Sequence, residues 1–522
     1  MKILLAGYNL DYELISELKQ KKSLAEDLTP ETISAAYARI SRSPKPVDEL
    51  RQLARGEVEK ARQSNRNIVF EMGHSSVAEH AVFNIDVLGV SRLLVEEIEK
   101  FRLCSFTEKS QRYVLFNKDF VVPDEIWRAG MTNLFVETIA AQNDYYHELY
   151  EKLRPFVFEQ NKALAENPSN KSTLEGWAKE DARYAISMAT QTQLGMTINA
   201  RNLELMLRRL GALQLEEAKE YANKLYVATK NVAPSLIRYT DATSYDRLTR
   251  KNLWRHPLSS QQHFPFFLST DYDLFTRQGL HEQASAIMNK YPQPRRNKKL
   301  QAVQLLSISD DADDRIVASL LYSSSRDNYI NCIKRAKQMN IKEKKALFKT
   351  AFEHLEPHDS VLRELENVDL HFELIVSSTC FAQLKRHRMA TIITQEYDPA
   401  LGVTIPSSVR KIGQQKKFMD IIKQTNKIYS QIRKKAPEAA TYILTNAHRK
   451  RVLMKLNARE MYHLARLRAD AHAQWDIRNL TESMLKKANI IMPLTLALAC
   501  GKDSFEKLYK KTFGAQGRQG KS

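Results

Sequence analysis

Apolar and polar residues alternate in Leu370-His-Phe-Glu-Leu-Ile-Val376 and again in Phe83-Asn-Ile-Asp-Val87, the period of a half-buried strand. A helical pattern follows each run, over Thr379 to Arg388 in one case and Ser91 to Arg102 in the other. Met1 to Ala6 reads as a further strand. Pro30 to Ser43 reads as a helix beginning near Thr29, with Arg315 to Ser324 as its partner in the second half. Residues 128–180 read as helix, with Trp127, Leu134, Tyr145, Leu149 and Leu153 as core side chains. In the last long helix, at about 100° per residue, Asn457, Met461, Leu464, Arg468 and His472 share one stripe. Burying a guanidinium unpaired is costly, so a partly apolar stripe carrying Arg468 and His472 predicts a face turned to a ligand. Leu210 and Gln214 hold those two places in the first half, and that helix reads as structural.

The same plan thus runs twice. His74-Ser-Ser-Val-Ala-Glu-His80 precedes the first strand and His358-Asp-Ser-Val361 the second. The following helices run into Lys100-Phe101-Arg102 and Arg386-His387-Arg388, and an Asn-Ala-Arg helix lies downstream of each, at Asn199 to Arg201 and Asn457 to Arg459. Four features recurring in one order predict an internal duplication. A chain of 522 residues holds two such domains, each able to bury its own core. We place the first at 1–240 and the second at 301–522. Between them, 241–300 reads as an irregular connection with some helix, marked by Pro257, Pro265, Pro292 and Pro294. The basic tail after Phe513, rich in Gly, Gln and Lys, reads as mobile.

Composition narrows the class. Only 15 glycines argue for many helices and against a loop-rich all-β fold. The 80 basic and 61 acidic residues give a net +19, which favours polyanionic partners or small phosphorylated ligands. Clusters at Arg295 to Lys299, Lys342 to Lys345 and Arg433 to Lys435 read first as solvated surface, with no aromatic-interleaved basic motif to mark a nucleic-acid face. Cys104, Cys332, Cys380 and Cys500 are widely separated, which suits a reducing compartment and supplies no metal-ligand spacing. The longest apolar run, Ile490 to Cys500, is short and broken by Pro493, so no membrane span is expected, no signal peptide is read, and the cytoplasm is the expected compartment. Gly7 stands alone rather than in a glycine-rich loop, which argues against a Rossmann oxidoreductase.

Several groups carry candidate chemistry. Arg386-His387-Arg388 by itself reads as basic side chains at a helix end, partners of its dipole. Glu108, Ser110 and Arg112 alternate, so an extended segment would set them on one side. A carboxylate, a hydroxyl and a guanidinium there suit a nucleotide cradle, or else a solvated strand face with an ion pair. Glu180 and Arg183 are three apart, on one face of a helix. Ser75 or Ser76 reads as an N-cap with Glu79 in the first turn. Cys104 and Cys380 read as packing residues.

The order His-x-Ser, strand, Arg-His-Arg-x-x-Ser/Thr, Glu-x-Ser-x-Arg-Tyr and Asn-x-Arg helix resembles the flavin-dependent thymidylate synthase family, twice over, across residues 30–240 and 300–510. Gly73 to His80 with Ser105 to Tyr113 carries the likeness in the first half; Arg386 to Arg388 with Leu467-Arg-Ala-Asp-Ala-His-Ala-Gln-Trp-Asp-Ile-Arg478 carries it in the second. The resemblance implies an α/β fold, each copy a sheet wrapped by long helices and the copies packed as a pseudo-dimer. Two chains would then form a homo-oligomer mimicking the family's tetramer. It implies FAD as cofactor, NADPH as its reductant, and dUMP and methylenetetrahydrofolate as substrates. Methylene would pass from the folate to uracil C5 and be completed to methyl by a hydride, with no cysteine nucleophile. By resemblance, Glu108, Ser110, Arg112, Arg183 and Gln383 bind dUMP, Arg183 at the phosphate. Arg468 stabilises charge on the uracil, and Arg386 with Gln383 orients nucleotide and flavin. His74, Ser76, Glu79, His387, Arg388, Asn457, Arg459, His463 and His472 hold FAD. No metal is implied. Thr391 departs from the family's usual Ser, and His463 stands where Asn is frequent.

The losses are complementary. The first copy keeps Glu108, Ser110, Arg112 and Arg183, sixteen residues before Asn199, but has Lys100, Phe101 and Leu210 at the triplet and late-Arg positions. The second keeps Gln383, Arg386, His387, Arg388, Arg468 and His472, but has Thr394, Glu396 and Asp398 at the cradle and Thr441 in place of Arg183. An Asp where phosphate should sit repels it. Composite sites are therefore expected, with one of two types live. Two other readings stand: a flavin- and folate-dependent uracil methyltransferase acting on RNA, which the +19 charge would serve, and a non-catalytic paralogue serving as an interaction module.

Overall fold

Both alternating runs are strands, and each is the second strand of a four-stranded antiparallel sheet. In a computed structural model describing residues 1–21, 28–40, 43–255 and 301–514, the first sheet contains β1 (Lys2–Tyr8), β2 (Val82–Ser91), β3 (Cys104–Glu108) and β4 (Gln191–Asn199) in the order β1-β2-β4-β3. The second contains β5 (Val303–Ile308), β6 (Asp369–Ser377), β7 (Thr391–Tyr397) and β8 (Arg449–Asn457) in the order β5-β6-β8-β7. One irregularity recurs as well. The register shifts between Leu5 and Gly7 in one edge strand and between Leu305 and Ser307 in the other, as a bulge does. The expected α/β duplication is present. The prolines expected to mark the connection and the end of the tail lie outside the described residues.

The period-2 pattern dictates each core. Phe83 faces Ile198 and Ile85 faces Met196 across β2 and β4; Leu370 faces Leu456 and Phe372 faces Met454 across β6 and β8. All eight side chains are buried, with Met206 and Leu225 added in the first core and Met461 and Ile477 in the second. Each such side chain gives roughly 1.5–3 kcal/mol on burial.

Serine ends both central strands and starts a helix. Ser91 accepts from Leu94 N at 3.0 Å and Ser377 from Cys380 N at 3.0 Å, as N-caps of the helices Arg92–Ile98 and Ser378–Leu384. Both helices are shorter than their sequence patterns suggest. Lys385 and His387 are buried while Arg386 and Arg388 are exposed, an i, i+2 alternation that a helix cannot satisfy and a turn can. Residues 128–180 are likewise not one helix. Thr132–Gln160 ends before a turn over Pro168–Asn170, and Lys171–Ala182 follows. Tyr145, Leu149 and Leu153 are buried as expected, Leu134 is partly so, but Trp127 is 71% exposed and is not a core residue.

The chain divides into two compact units that do not follow the sequence halves. The first-half sheet shares its unit with Lys423–Ile443, and the second-half sheet shares its unit with Asp144–Ile186. In each unit a carboxylate at a helix start, buried in the first and half-buried in the second, ties down the segment after a long helix. Glu31 accepts from Ser235 N at 2.6 Å in the first, and Asp313 accepts from Thr495 N at 2.8 Å in the second. Cys104, Cys332 and Cys380 are buried free thiols and Cys500 is partly buried. No helix among the described residues is long and apolar enough to cross a membrane.

Candidate functional site

Asn457 caps the helix Ala458–Arg468, accepting from Glu460 N at 2.8 Å. Arg468, its last residue, donates from Nε to His387 Nε2 at 3.1 Å and from Nη2 to the Gln383 carbonyl at 3.4 Å. On the other side of the ring, His387 Nδ1 lies 3.1 Å from Glu460 Oε1. An arginine can only donate, so Nε2 accepts and Nδ1 carries the proton that Glu460 receives. Burial holds the His387 pKa below the usual imidazole value, with the Arg468 charge acting in the same direction against the pull of Glu460. The ring is neutral at pH 7 and works as a fixed acceptor for Arg468.

His387, Glu460 and His463 place donor atoms within 4.8 Å of one another, near enough to share a cation. The hydrogen bonds argue against it. Arg468 occupies the lone pair on His387 Nε2, Nδ1 is protonated, and the guanidinium repels a second positive charge. Nearby, Gln383 Nε2 is buried and meets no acceptor among the described residues.

Other residues of the predicted stripe and cofactor set fall in different places. The helix stops at Arg468, so His472 leaves the stripe. It sits in a turn, its side chain 92% exposed and its Nδ1 2.8 Å from Asp470 Oδ1. Gly501 packs against the start of this turn so closely that a Cβ there would lie 2.5 Å from the Ala469 oxygen. Arg459 is engaged by the protein itself, through the Val361 carbonyl at 2.9 Å and Glu366 at 2.8 Å. His463, Arg386 and Arg388 are exposed.

Arg183 belongs to this same unit. The helix Lys171–Ala182 ends one residue before it, and Arg183–Ala185 form a tighter turn, so Arg183 lies just past the helix rather than on its face. Both are buried. Asn446 Nδ2 donates to the Arg183 carbonyl at 3.0 Å, and Ala447 N donates to the Tyr184 carbonyl at 3.1 Å. Asp181 accepts from Trp475 Nε1 at 2.7 Å and from the Ser408 hydroxyl. Tyr184 donates to Asp476 at 3.0 Å, and Ser377 donates to the same oxygen at 2.6 Å. Burial pushes the Asp181 carboxyl up to about 6, against the hydrogen bonds from Ser408 and Trp475. Burial also raises Asp476, against those from Ser377 and Tyr184. Sequence reasoning missed Asp181, Tyr184, Glu460, Trp475 and Asp476. The available signal was the recurrence of Tyr184 as Tyr442.

The first unit repeats the scaffold without the charges. Ser91 donates to Glu217 at 2.6 Å and Tyr442 donates to it at 2.6 Å, the same serine, carboxylate and tyrosine. Phe101 and Leu210 are buried in its core where the second unit has His387 and Arg468. The expected cradle is not an extended one. β3 ends at Glu108, Gln111–Tyr113 turn, and Ser110 Oγ accepts from Arg112 N at 3.1 Å. Glu108 is itself buried against Arg92, at 2.6 and 2.8 Å, so its carboxylate is already engaged. Ser75–His80 form a short turn with His74 at the capping position and no side-chain cap, which corrects the serine cap expected there. His74 and Ser76 are exposed, and Glu79 pairs with Arg201.

Residues 23–235 and 304–494 each match the family model described as thymidylate synthase complementing protein. A flavin-dependent thymidylate synthase of Clostridium tetani is 30% identical over 215 residues, 40% of this chain and 82% of that protein. A UPF0159 protein of Thermoplasma acidophilum is 22% identical over 463 residues, 82% of this chain and 86% of its own. One from Chlamydia muridarum is 24% identical over 447 residues, 82% of this chain and 79% of that protein. A solved flavin-dependent thymidylate synthase from Helicobacter pylori, complexed with FAD and dUMP, is 18% identical with a TM-score of 0.28, covering 46% of this chain and 100% of that one.

Proposed function

This chain belongs to the thymidylate synthase complementing protein family, as a tandem form of the flavin-dependent thymidylate synthases, and from that premise we propose that it converts dUMP to dTMP at a site in its second unit. Methylenetetrahydrofolate is the methylene donor and NADPH the reductant. The observation that carries the reading is that Arg183, a first-half residue, shares a compact unit with Arg468, His387 and Gln383.

The residues fit a flavin and a nucleotide. Exposed Arg386 and Arg388 flank the buried His387, a pattern suited to anionic phosphates outside and an ordered base within. The buried Gln383 Nε2 calls for a carbonyl acceptor such as a pyrimidine ring supplies. FAD, once reduced, supplies the hydride. The chain's own residues do the rest. Arg468, fixed by neutral His387 and by the Gln383 carbonyl, places positive charge where the uracil ring gains electrons. Glu460 keeps His387 in the tautomer that accepts from Arg468. Arg183 meets the nucleotide phosphate. His463, Asn457 and Arg459 border the flavin side.

The test is tritium release from 5-labelled dUMP by the purified protein with FAD, NADPH and methylenetetrahydrofolate, run beside RNA carrying 5-labelled uracil. Release from dUMP alone is the expected result. Release from RNA alone would replace this reading with RNA uracil methylation, the alternative that the +19 charge favours. A purified protein that retains no flavin and releases no tritium from either would leave the interaction module.

A further inference from the structure

The serine, carboxylate and tyrosine knot occurs in both units, but what surrounds it does not. Alignment on Tyr184 and Tyr442 places Arg183 opposite Thr441 and Asp181 opposite Ala439. Alignment on Asp476 and Glu217 places Trp475 opposite Glu216. The unit without the arginine therefore also lacks the aspartate and the tryptophan. A knot needed only for folding is complete without them, since Ser91, Glu217 and Tyr442 close at 2.6 Å in the first unit unaided.

We infer that Asp181 and Trp475 are positioning residues, a latch by which the second unit seats Arg183 for a nucleotide phosphate. The inference rests on the reading of Arg183 as the phosphate-binding residue of the proposed site. Trp475 is engaged at both ends. Its ring stacks on Tyr184, with centroids 5.6 Å apart and planes 16° from parallel, and its Nε1–H donates to Asp181 at 2.7 Å. Asp181 and Tyr184 bracket Arg183 in sequence, so one indole engages the side chains on either side of it. Asn446 and Ala447 fix the carbonyls of Arg183 and Tyr184. Gln474, next to Trp475, donates to the Tyr184 hydroxyl at 2.9 Å, and that hydroxyl donates on to Asp476 at 3.0 Å. Arg183 itself is only 6% exposed. A guanidinium held that deeply reaches a phosphate only in a narrow range of orientations, and a preset orientation is what binding then need not supply.

The test uses the full chain loaded with FAD and isothermal titration with dUMP. Trp475→Phe keeps the stack and removes the N–H donor; Asp181→Asn keeps the shape and removes the charge. Each is expected to raise the dUMP Kd about tenfold while kcat stays within about twofold, the mark of lost uniform binding. In an Arg183→Gln background neither substitution is expected to weaken dUMP further, because both act through that side chain. Should Asp181→Asn fail to fold, Trp475→Phe alone decides the matter. Wild-type protein that binds dUMP, with a Trp475→Phe variant that binds equally well, overturns the latch and leaves the proposed function standing. Additive losses in the Arg183→Gln background overturn it too. Wild-type protein that binds no dUMP overturns both.

Discussion

Two buried histidines of the second unit differ in how far the sequence announced them. His387 was legible through the family resemblance of Arg386-His387-Arg388, since the run by itself reads as basic side chains at a helix end. Its proton partner Glu460 was not, since only the folded chain brings residue 460 to the face of the ring. His448 was missed entirely, although it is more deeply buried, and it carries the clearer prediction. Burial depresses its pKa from 6.5 to about 4, and Thr445 N donates to its Nδ1 at 3.0 Å, a bond only the neutral ring can accept. The folded state therefore binds fewer protons than the unfolded chain between those two values. The stability His448 confers is complete above pH 6.5 and is lost as pH falls towards 4, up to about 3 kcal/mol. Urea unfolding at pH 7 and pH 4.5 is expected to show this loss, and His448→Gln to flatten it. An equal loss in that variant would assign the acid sensitivity to other groups.

At the scale of elements, the two central strands, the first edge strand and several helix starts were legible, while β4, β5, β7, β8 and the helix ends were not. Strand alternation survives because one face is buried. Asparagine and serine caps mark helix starts chemically, and Asn199, Asn457, Ser91 and Ser377 all cap. Helix ends had no such marker. The turn at Arg386 and the stop at Arg468 are set by which side chains find buried partners, a tertiary matter. The same uncertainty misplaced His472 and the Glu108, Ser110 and Arg112 cradle. The two serine caps do more than start helices, because each also donates to a buried carboxylate, Ser377 to Asp476 at 2.6 Å and Ser91 to Glu217 at 2.6 Å. Ser377→Ala removes the cap and one donor to Asp476 together, and is expected to cost about 2 kcal/mol, seen as a lower midpoint in chemical denaturation. Replacing an exposed serine such as Ser430 is expected to shift the midpoint by less than about 0.5 kcal/mol. Equal effects from both would mean the Ser377 bonds contribute nothing special.

For the whole molecule, the duplication was legible and the exchange of segments was not. A long amphipathic helix reveals which of its faces is buried, but not which sheet its far end and the following turn will join. That is why Asp144–Ile186 falls in the second-half unit without any warning in the first-half pattern. The exchange matters because it decides where the arginines go. In the second unit Arg183, Arg468, Arg386 and Arg388 come from two halves of the chain. In the first unit the counterparts of Arg183, Arg386, His387 and Arg468 are Thr441, Lys100, Phe101 and Leu210. Phe101 and Leu210 are core residues, 8% and 2% exposed, and Lys100 is paired with Glu97 at 2.6 Å. A nucleotide monophosphate is a dianion near neutrality and needs forked donors to hold it, and the first unit has no arginine at those positions. Binding is therefore expected at one dUMP per chain when the FAD-loaded protein is titrated by calorimetry, with no second, weaker phase up to millimolar ligand. A stoichiometry of two would show that the first unit binds nucleotide by residues other than the counterparts of Arg183 and Arg468, and the division of labour between the halves would have to be abandoned.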